Sequence, residues 1–215
     1  MKLFLDTANL KEIQTLASWG VLDGITTNPS LLSKEGKIDP EKHVKAICKL
    51  VKGPVSMEVF STEADGMVAE GKRYAKWAKN VVVKVPMTSE GLKAIVLLRK
   101  EDIRVNVTLI FSANQALLAA KAGANFVSPF IGRLDENGQD GMALIEEIRA
   151  IFDNYAFPTE ILVASVRHPR HVTEAAMLGA DVCTLPYAVF EKLVHHPMTD
   201  SGLEKFLSDW NTRKK

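Results

Sequence analysis

Lys84 stands inside Val81-Val82-Val83-Lys84-Val85-Pro86, a run that is apolar on both faces and stops at a proline. Such a run reads as a fully buried strand of a parallel sheet. A charged ammonium there is costly to desolvate without a partner, and no acidic residue is closer in sequence than Glu90. The lysine could snorkel from a sheet edge, but a strand this apolar does not suit an edge. It could pair with a carboxylate from another strand. Or its surroundings could favour the neutral amine, since burial lowers a lysine pKa and catalytic lysines are tuned to about 7–8, where the amine attacks a carbonyl.

Other polar residues recur at the ends of apolar runs. Asp6 ends the first, Asn28 ends the second, and Glu58 comes late in the third, on a face shared with Ser56 and Phe60. Residues two apart on a strand share a face, so Asn106 goes with Thr108, and Ser128 with Phe130. Ser165 is late in the seventh run. A strand-interior glutamate needs a partner, and Lys84 supplies it if both side chains point inward. Singly, most of these have ordinary readings: Asp6 as a helix cap, Asn28 as a turn residue before Pro29, Thr108 and Ser128 as packing residues. Their conjunction is more specific than its parts. Arg133 and Arg167 follow the sixth and seventh runs, where barrel loops often hold phosphate and arginine offers bidentate donors. His168 and His171 are three apart, but Pro169 between them favours helix-start residues over metal ligands.

These residues must be positioned by a repeating frame. Strand-like runs at Leu3–Leu5, Gly24–Asn28, Val55–Phe60, Val81–Pro86, Arg104–Ile110, Phe126–Ile131, Ile161–Val166 and Val182–Pro186 alternate with helical patterns. Thr88 and Ser112 read as helix N-caps, and Gly20, Gly123 and Gly179 as helix ends. Eight strands alternating with helices, with no hairpin signal, predict a parallel α/β sheet closed into a single (β/α)8 barrel over 1–215, with an extra C-terminal helix at about 200–212. An open doubly wound sheet is the runner-up, without a Gly-x-Gly-x-x-Gly turn after any strand.

Composition narrows the partners. The chain has 27 basic and 26 acidic residues, a net charge of +1, which gives no electrostatic case for nucleic acid or an anionic membrane. No apolar run reaches the ~20 residues of a membrane span, and an acid at residue 6 comes too early for a signal peptide. Cys48 and Cys183 are isolated, which suggests buried free thiols in a reducing cytoplasm.

Leu5-Asp6-Thr7, Thr26-Thr27-Asn28-Pro29-Ser30, Val83-Lys84-Val85-Pro86, Asn106-Val107-Thr108-Leu109, Ser128-Pro129-Phe130-Ile131-Gly132-Arg133 and Ala164-Ser165-Val166-Arg167 resemble the transaldolases. The resemblance covers nearly the whole chain and is to the short branch that also includes fructose-6-phosphate aldolases. It implies a lysine Schiff base without metal or organic cofactor. Lys84 would attack the ketone of a ketose phosphate, and Asp6 would take the C4 hydroxyl proton. Glu58 and Thr108 would position a water; Asn28, Asn106 and Ser128 would hold sugar hydroxyls; Arg133, Ser165 and Arg167 would hold phosphate. It also implies sugar phosphates as partners, a cytoplasmic location and a homo-oligomer, commonly a decamer. Val166 departs from the aromatic residue often found there.

The resemblance leaves a closest alternative, a lyase releasing dihydroxyacetone from fructose 6-phosphate. Such aldolases resemble this chain with Gln and Tyr where it has Glu58 and Phe130. A deoxyribose-phosphate-type aldolase is a second alternative, and a non-catalytic barrel that binds sugar phosphates a third.

Overall fold

The computed structural model describes residues 1–213. β1 (Lys2–Asp6), β2 (Gly24–Thr26), β3 (Val55–Glu58) and β4 (Val81–Pro86) form half of a parallel sheet. β5 (Val105–Ile110), β6 (Phe126–Pro129), β7 (Glu160–Val163) and β8 (Val182–Leu185) form the other half. Neighbours in sequence are neighbours in the sheet, and β8 pairs back onto β1 to close the barrel. This is the (β/α)8 architecture that the alternating runs predict.

The helices make the outer layer. α1 (Leu10–Ser18) follows β1; α2 (Pro29–Lys34) and α3 (Pro40–Leu50) follow β2; α4 (Ala64–Ala75) follows β3. α5 (Ser89–Lys100) and α6 (Ala113–Lys121) follow β4 and β5, and α7 (Ile131–Glu136) and α8 (Gly141–Asn154) follow β6. α9 (Pro169–Met177) follows β7, and α10 (Tyr187–Lys192) and α11 (Pro197–Thr212) end the described chain. The expected caps are in place: Thr88 Oγ1 accepts from Gly91 N at 2.9 Å and Ser112 Oγ from Gln115 N at 3.3 Å. Gly20, Gly123 and Gly179 all adopt positive φ where their helices stop.

Two apolar layers hold this frame. One lies between strands and helices and includes Ile13, Ile47, Ile95, Ile145 and Phe152. The other fills the barrel itself with Phe4, Val82, Phe126, Leu162 and Val182. Phe4 and Phe126 meet with ring centroids 6.4 Å apart. Burying each of these rings stabilises by roughly 1.5–3 kcal/mol. The plug separates the two ends of the barrel: Lys2 and Glu160 pair at 2.7 Å at the amino end, and the polar residues singled out above lie toward the carboxyl-end mouth.

Several boundaries differ from those the sequence predicts. Asn28 does not lead a bare turn: its Oδ1 accepts from Leu31 N at 2.9 Å and caps α2, with Pro29 in the first turn. β3 stops at Glu58, so Phe60 shares no strand face with it and lies exposed. β6 stops at Pro129, and Phe130 joins Ala164 only through an isolated bridge. Ser165 lies beyond β7 at φ 63°, which turns the chain out of the sheet. The last helix starts earlier, at Pro197, because His196 Nδ1 accepts from Met198 N at 3.1 Å. Cys183 is buried as expected, with its thiol pushed up to about 12, whereas Cys48 is only partly buried.

Candidate active site

Register brings the central group together. On neighbouring strands Glu58 pairs with Lys84, and Lys84 with Asn106. All three therefore face the barrel interior. Lys84 is 4% exposed. Its Nζ lies 3.0 Å from Glu58 Oε2 and donates to the Thr27 carbonyl at 3.0 Å. The glutamate that needed a partner has the one the sequence suggested. Asn106 is fully buried. Its Nδ2 donates to Ser56 Oγ at 3.1 Å, and its Oδ1 accepts from Ser128 Oγ at 2.7 Å. It sits beneath the cavity floor and orients Ser128, which reaches the cavity.

Thr108 shares Asn106's face, as predicted, and its hydroxyl is buried with no protein partner. A buried hydroxyl in that position is a place for a bound molecule. The β5–β6 register shifts between Val107 and Ile110, and Leu109 takes φ 60° there. That irregularity lies beside the group, in keeping with bulges that re-aim side chains.

Asp6, at the end of β1, is reached by a chain of hydroxyls. Thr26 Oγ1 donates to Asp6 Oδ1 at 2.7 Å and lies 2.6 Å from Thr184 Oγ1. Thr26 has one proton to give, so Thr184 supplies the second bond. Burial pushes the Asp6 carboxyl above the ordinary carboxylate range, against the pull of Lys84, the Thr26 bond, Arg167 and Lys34. A carboxyl held upward in this way is suited to exchanging a proton with a bound molecule.

These groups open onto two adjoining cavities. The first, about 160 Å³, is walled by Asp6, Thr26, Ser128, Ser165, Arg167 and Thr184 among others. The second holds Glu58, Thr108 and Leu109. Lys84, Asn28, Phe130 and Arg133 line both. Phe130 stands between the two with its ring 5.9 Å from that of Phe111, and the Arg133 guanidinium lies over it at 5.1 Å. The structure thus gathers Asp6, Asn28, Glu58, Lys84, Thr108, Ser128, Phe130, Arg133, Ser165 and Arg167 around these cavities, with Asn106 one layer down, and leaves Phe60 outside. Arg133 differs in setting, since it belongs to α7 rather than to a loop.

Thr26 and Thr184 escape a reading by residue type, because β-branched residues in strands are the ordinary case. The signal for Thr26 is its spacing two residues before Asn28. Among the described residues no cluster of three or more His, Cys, Asp or Glu could hold a metal. His168 precedes α9 and His171 lies in its first turn.

Fold and site together define a closed (β/α)8 barrel with an apolar plug and a lysine–carboxylate group at its carboxyl-end mouth. The Transaldolase/Fructose-6-phosphate aldolase family matches residues 3–215, and the chain belongs to that family. A protein of Aquifex aeolicus described as a probable transaldolase is 61% identical over 211 residues, covering 98% of this chain and 96% of that protein. Probable transaldolases of Methanococcus vannielii and Brevibacillus brevis are 59% and 58% identical, over the full length of both chains. Among solved structures, thiamine phosphate pyrophosphorylase of Pyrococcus furiosus superposes with a TM-score of 0.58 at 13% identity, covering 87% of this chain and 86% of that one. A mandelate oxidase variant gives 0.59 at 15% identity, covering 86% of this chain and 64% of that one. These two likenesses concern the fold alone. No helix among the described residues is long and apolar enough to cross a membrane.

Proposed function

We propose that this chain is a transaldolase that moves a dihydroxyacetone unit from a ketose phosphate to an aldose phosphate through a Schiff base on Lys84. The observation that carries the reading is the Lys84–Glu58 pair at 3.0 Å, facing a cavity that also holds Asp6 and two arginines. Relatives near 60% identity with the printed name probable transaldolase support it.

Glu58 stands where it can take the proton that Lys84 must lose before its amine attacks the ketone carbon. Loss of water then gives a protonated imine. Asp6 removes the C4 hydroxyl proton, the C3–C4 bond breaks, and its electron pair enters the imine system to leave an enamine. The aldehyde fragment departs. An acceptor aldehyde is attacked by the enamine carbon, its oxygen takes the proton from Asp6, and water returned through Glu58 and Thr108 frees Lys84. Asn28, through its Nδ2, and Ser128 hold sugar hydroxyls, with Asn106 orienting Ser128. Arg133, Arg167 and Ser165 bind the phosphate.

Sedoheptulose 7-phosphate or fructose 6-phosphate is the donor, and glyceraldehyde 3-phosphate or erythrose 4-phosphate the acceptor, as in the pentose phosphate pathway. This reading has one barrel domain working in the cytoplasm as a homo-oligomer, the decamer of the family resemblance. Leu203, Phe206, Leu207 and Trp210 of α11 are exposed, as an interface between copies requires.

Reductive trapping tests the proposal. Borohydride with fructose 6-phosphate leaves a stable adduct on Lys84, located by mass spectrometry, and Lys84→Arg yields no adduct and no transfer. An adduct on another lysine overturns the mechanism.

A further inference from the structure

The arginines assigned to phosphate sit on different elements: Arg133 on α7, Arg167 in the turn between β7 and α9. Two guanidinium groups serve one phosphate only if their separation is fixed, and the backbone bonds between the two segments end at Ile131 N to the Ala164 carbonyl, 3.1 Å, short of both arginines. His171 spans the joint. It is 6% exposed, and its Nδ1 accepts from the Arg167 backbone N–H at 3.3 Å. Its Nε2 lies 3.1 Å from Asp135 Oδ2, two residues beyond Arg133 on α7.

A backbone N–H can only donate, so Nδ1 carries no proton and the neutral ring donates from Nε2 to Asp135. Asp135 is itself anchored, since its Oδ1 accepts from Gly141 N at 2.9 Å. Burial, helped by the neighbouring His168, holds His171 below its ordinary pKa, which keeps the ring neutral near pH 7. Other α7 contacts bear on the same turn. Glu136 Oε1 accepts from Arg167 Nε at 2.9 Å and meets its second nitrogen at 2.8 Å. A side chain at Gly132 would collide with the Ser165 carbonyl and the Arg167 stem.

A buried histidine is most often satisfied packing. This one differs because both its partners belong to the segments that carry the arginines. We propose that His171 is a positioning residue for phosphate recognition: as the Nε2–H tautomer it braces the Arg167 backbone against Asp135 and so sets the distance between Arg133 and Arg167. The inference rests on the phosphate assignment above.

Three variants test it: His171→Gln, Asp135→Asn and, as control, Arg167→Ala. Asp135→Asn leaves the ring in place, and with its amide oxygen kept on the Gly141 N–H it turns an amide N–H to the ring. The ring must then accept at Nε2, and its proton moves to Nδ1, against the Arg167 N–H. Each variant is assayed with fructose 6-phosphate as donor, and with dihydroxyacetone plus unphosphorylated glyceraldehyde. For His171→Gln and Asp135→Asn the expected result is a KM for fructose 6-phosphate raised about tenfold, while the unphosphorylated pair changes by less than about twofold. Nitrogen-15 NMR of the ring shows Nε2–H in the wild type and Nδ1–H in Asp135→Asn. Should His171→Gln fail to fold, Asp135→Asn and the wild-type spectrum decide alone.

Equal losses on both substrate types, or Nδ1–H in the wild type, overturn the brace. If Arg167→Ala discriminates between the substrates and the other variants do not, the brace alone falls. If Arg167→Ala does not discriminate, the phosphate assignment falls and the brace with it.

Discussion

Glu58 and Lys84 are register partners on β3 and β4, and their side chains meet at 3.0 Å inside the barrel. The pair accounts for how a lysine is tolerated in a strand of valines, and it puts a proton acceptor beside the amine. The contact meets the reading in which the lysine pairs with a carboxylate from another strand, and a structural partner can also be a working one. Glu58→Gln separates these roles, because the amide keeps its shape but accepts protons poorly. The expected outcome is imine formation slowed by about 10²-fold or more, read as the rate of borohydride trapping, in a protein that still folds. Trapping at the wild-type rate would leave Glu58 a purely structural partner.

In the proposed mechanism, Phe130 separates transfer from release. After cleavage the enamine either waits for an aldehyde or is protonated and hydrolysed. Hydrolysis needs a proton donor and a water beside the imine, and the Phe130 ring, lining both cavities next to Lys84, offers no hydroxyl. The wild type is expected to transfer efficiently to erythrose 4-phosphate and to release dihydroxyacetone slowly without an acceptor. Phe130→Tyr raises release relative to transfer by up to about 10²-fold. If the wild type releases as fast as it transfers, fructose-6-phosphate aldolase is the better description.

Asp6 links the site to stability. Its carboxyl is held above the ordinary value of 3.8, chiefly by burial, so the folded state keeps this proton more tightly than the unfolded chain. Its contribution is therefore fully present at low pH and is lost as pH rises from 3.8 through the raised value. Asp6→Asn removes that loss. Near pH 7 the variant should melt at a higher temperature than the wild type while transfer falls by about 10²–10⁴-fold. A variant with a lower melting temperature at pH 7 would contradict the sign.

Much of this arrangement was legible in the residues. Lys84 declares itself because a charge among four valines demands a reason, and Glu58 because a strand glutamate demands a partner. The barrel follows from eight apolar runs separated by helical patterns. The short helices α2, α7 and α10 were harder to see, since six residues carry less than two turns of periodicity. Asn28 before Pro29 held the α2 start signal, but the same pair also begins a turn. Thr26, Thr184 and His171 act through partners distant in sequence. Thr26 and Thr184 are 158 positions apart, and no local pattern records a contact of that kind.

The closure of the sheet by β8 on β1 has a consequence for how the site comes into being. Glu58, Lys84 and Asn106 lie on three successive strands, so a nascent chain can align them while its later half is still being made. Asp6 lies on the first strand of the barrel, and Thr184, which completes its hydroxyl chain, on the eighth. The surroundings of Lys84 come from consecutive strands; those of Asp6 are complete only when the eighth strand reaches back to the first.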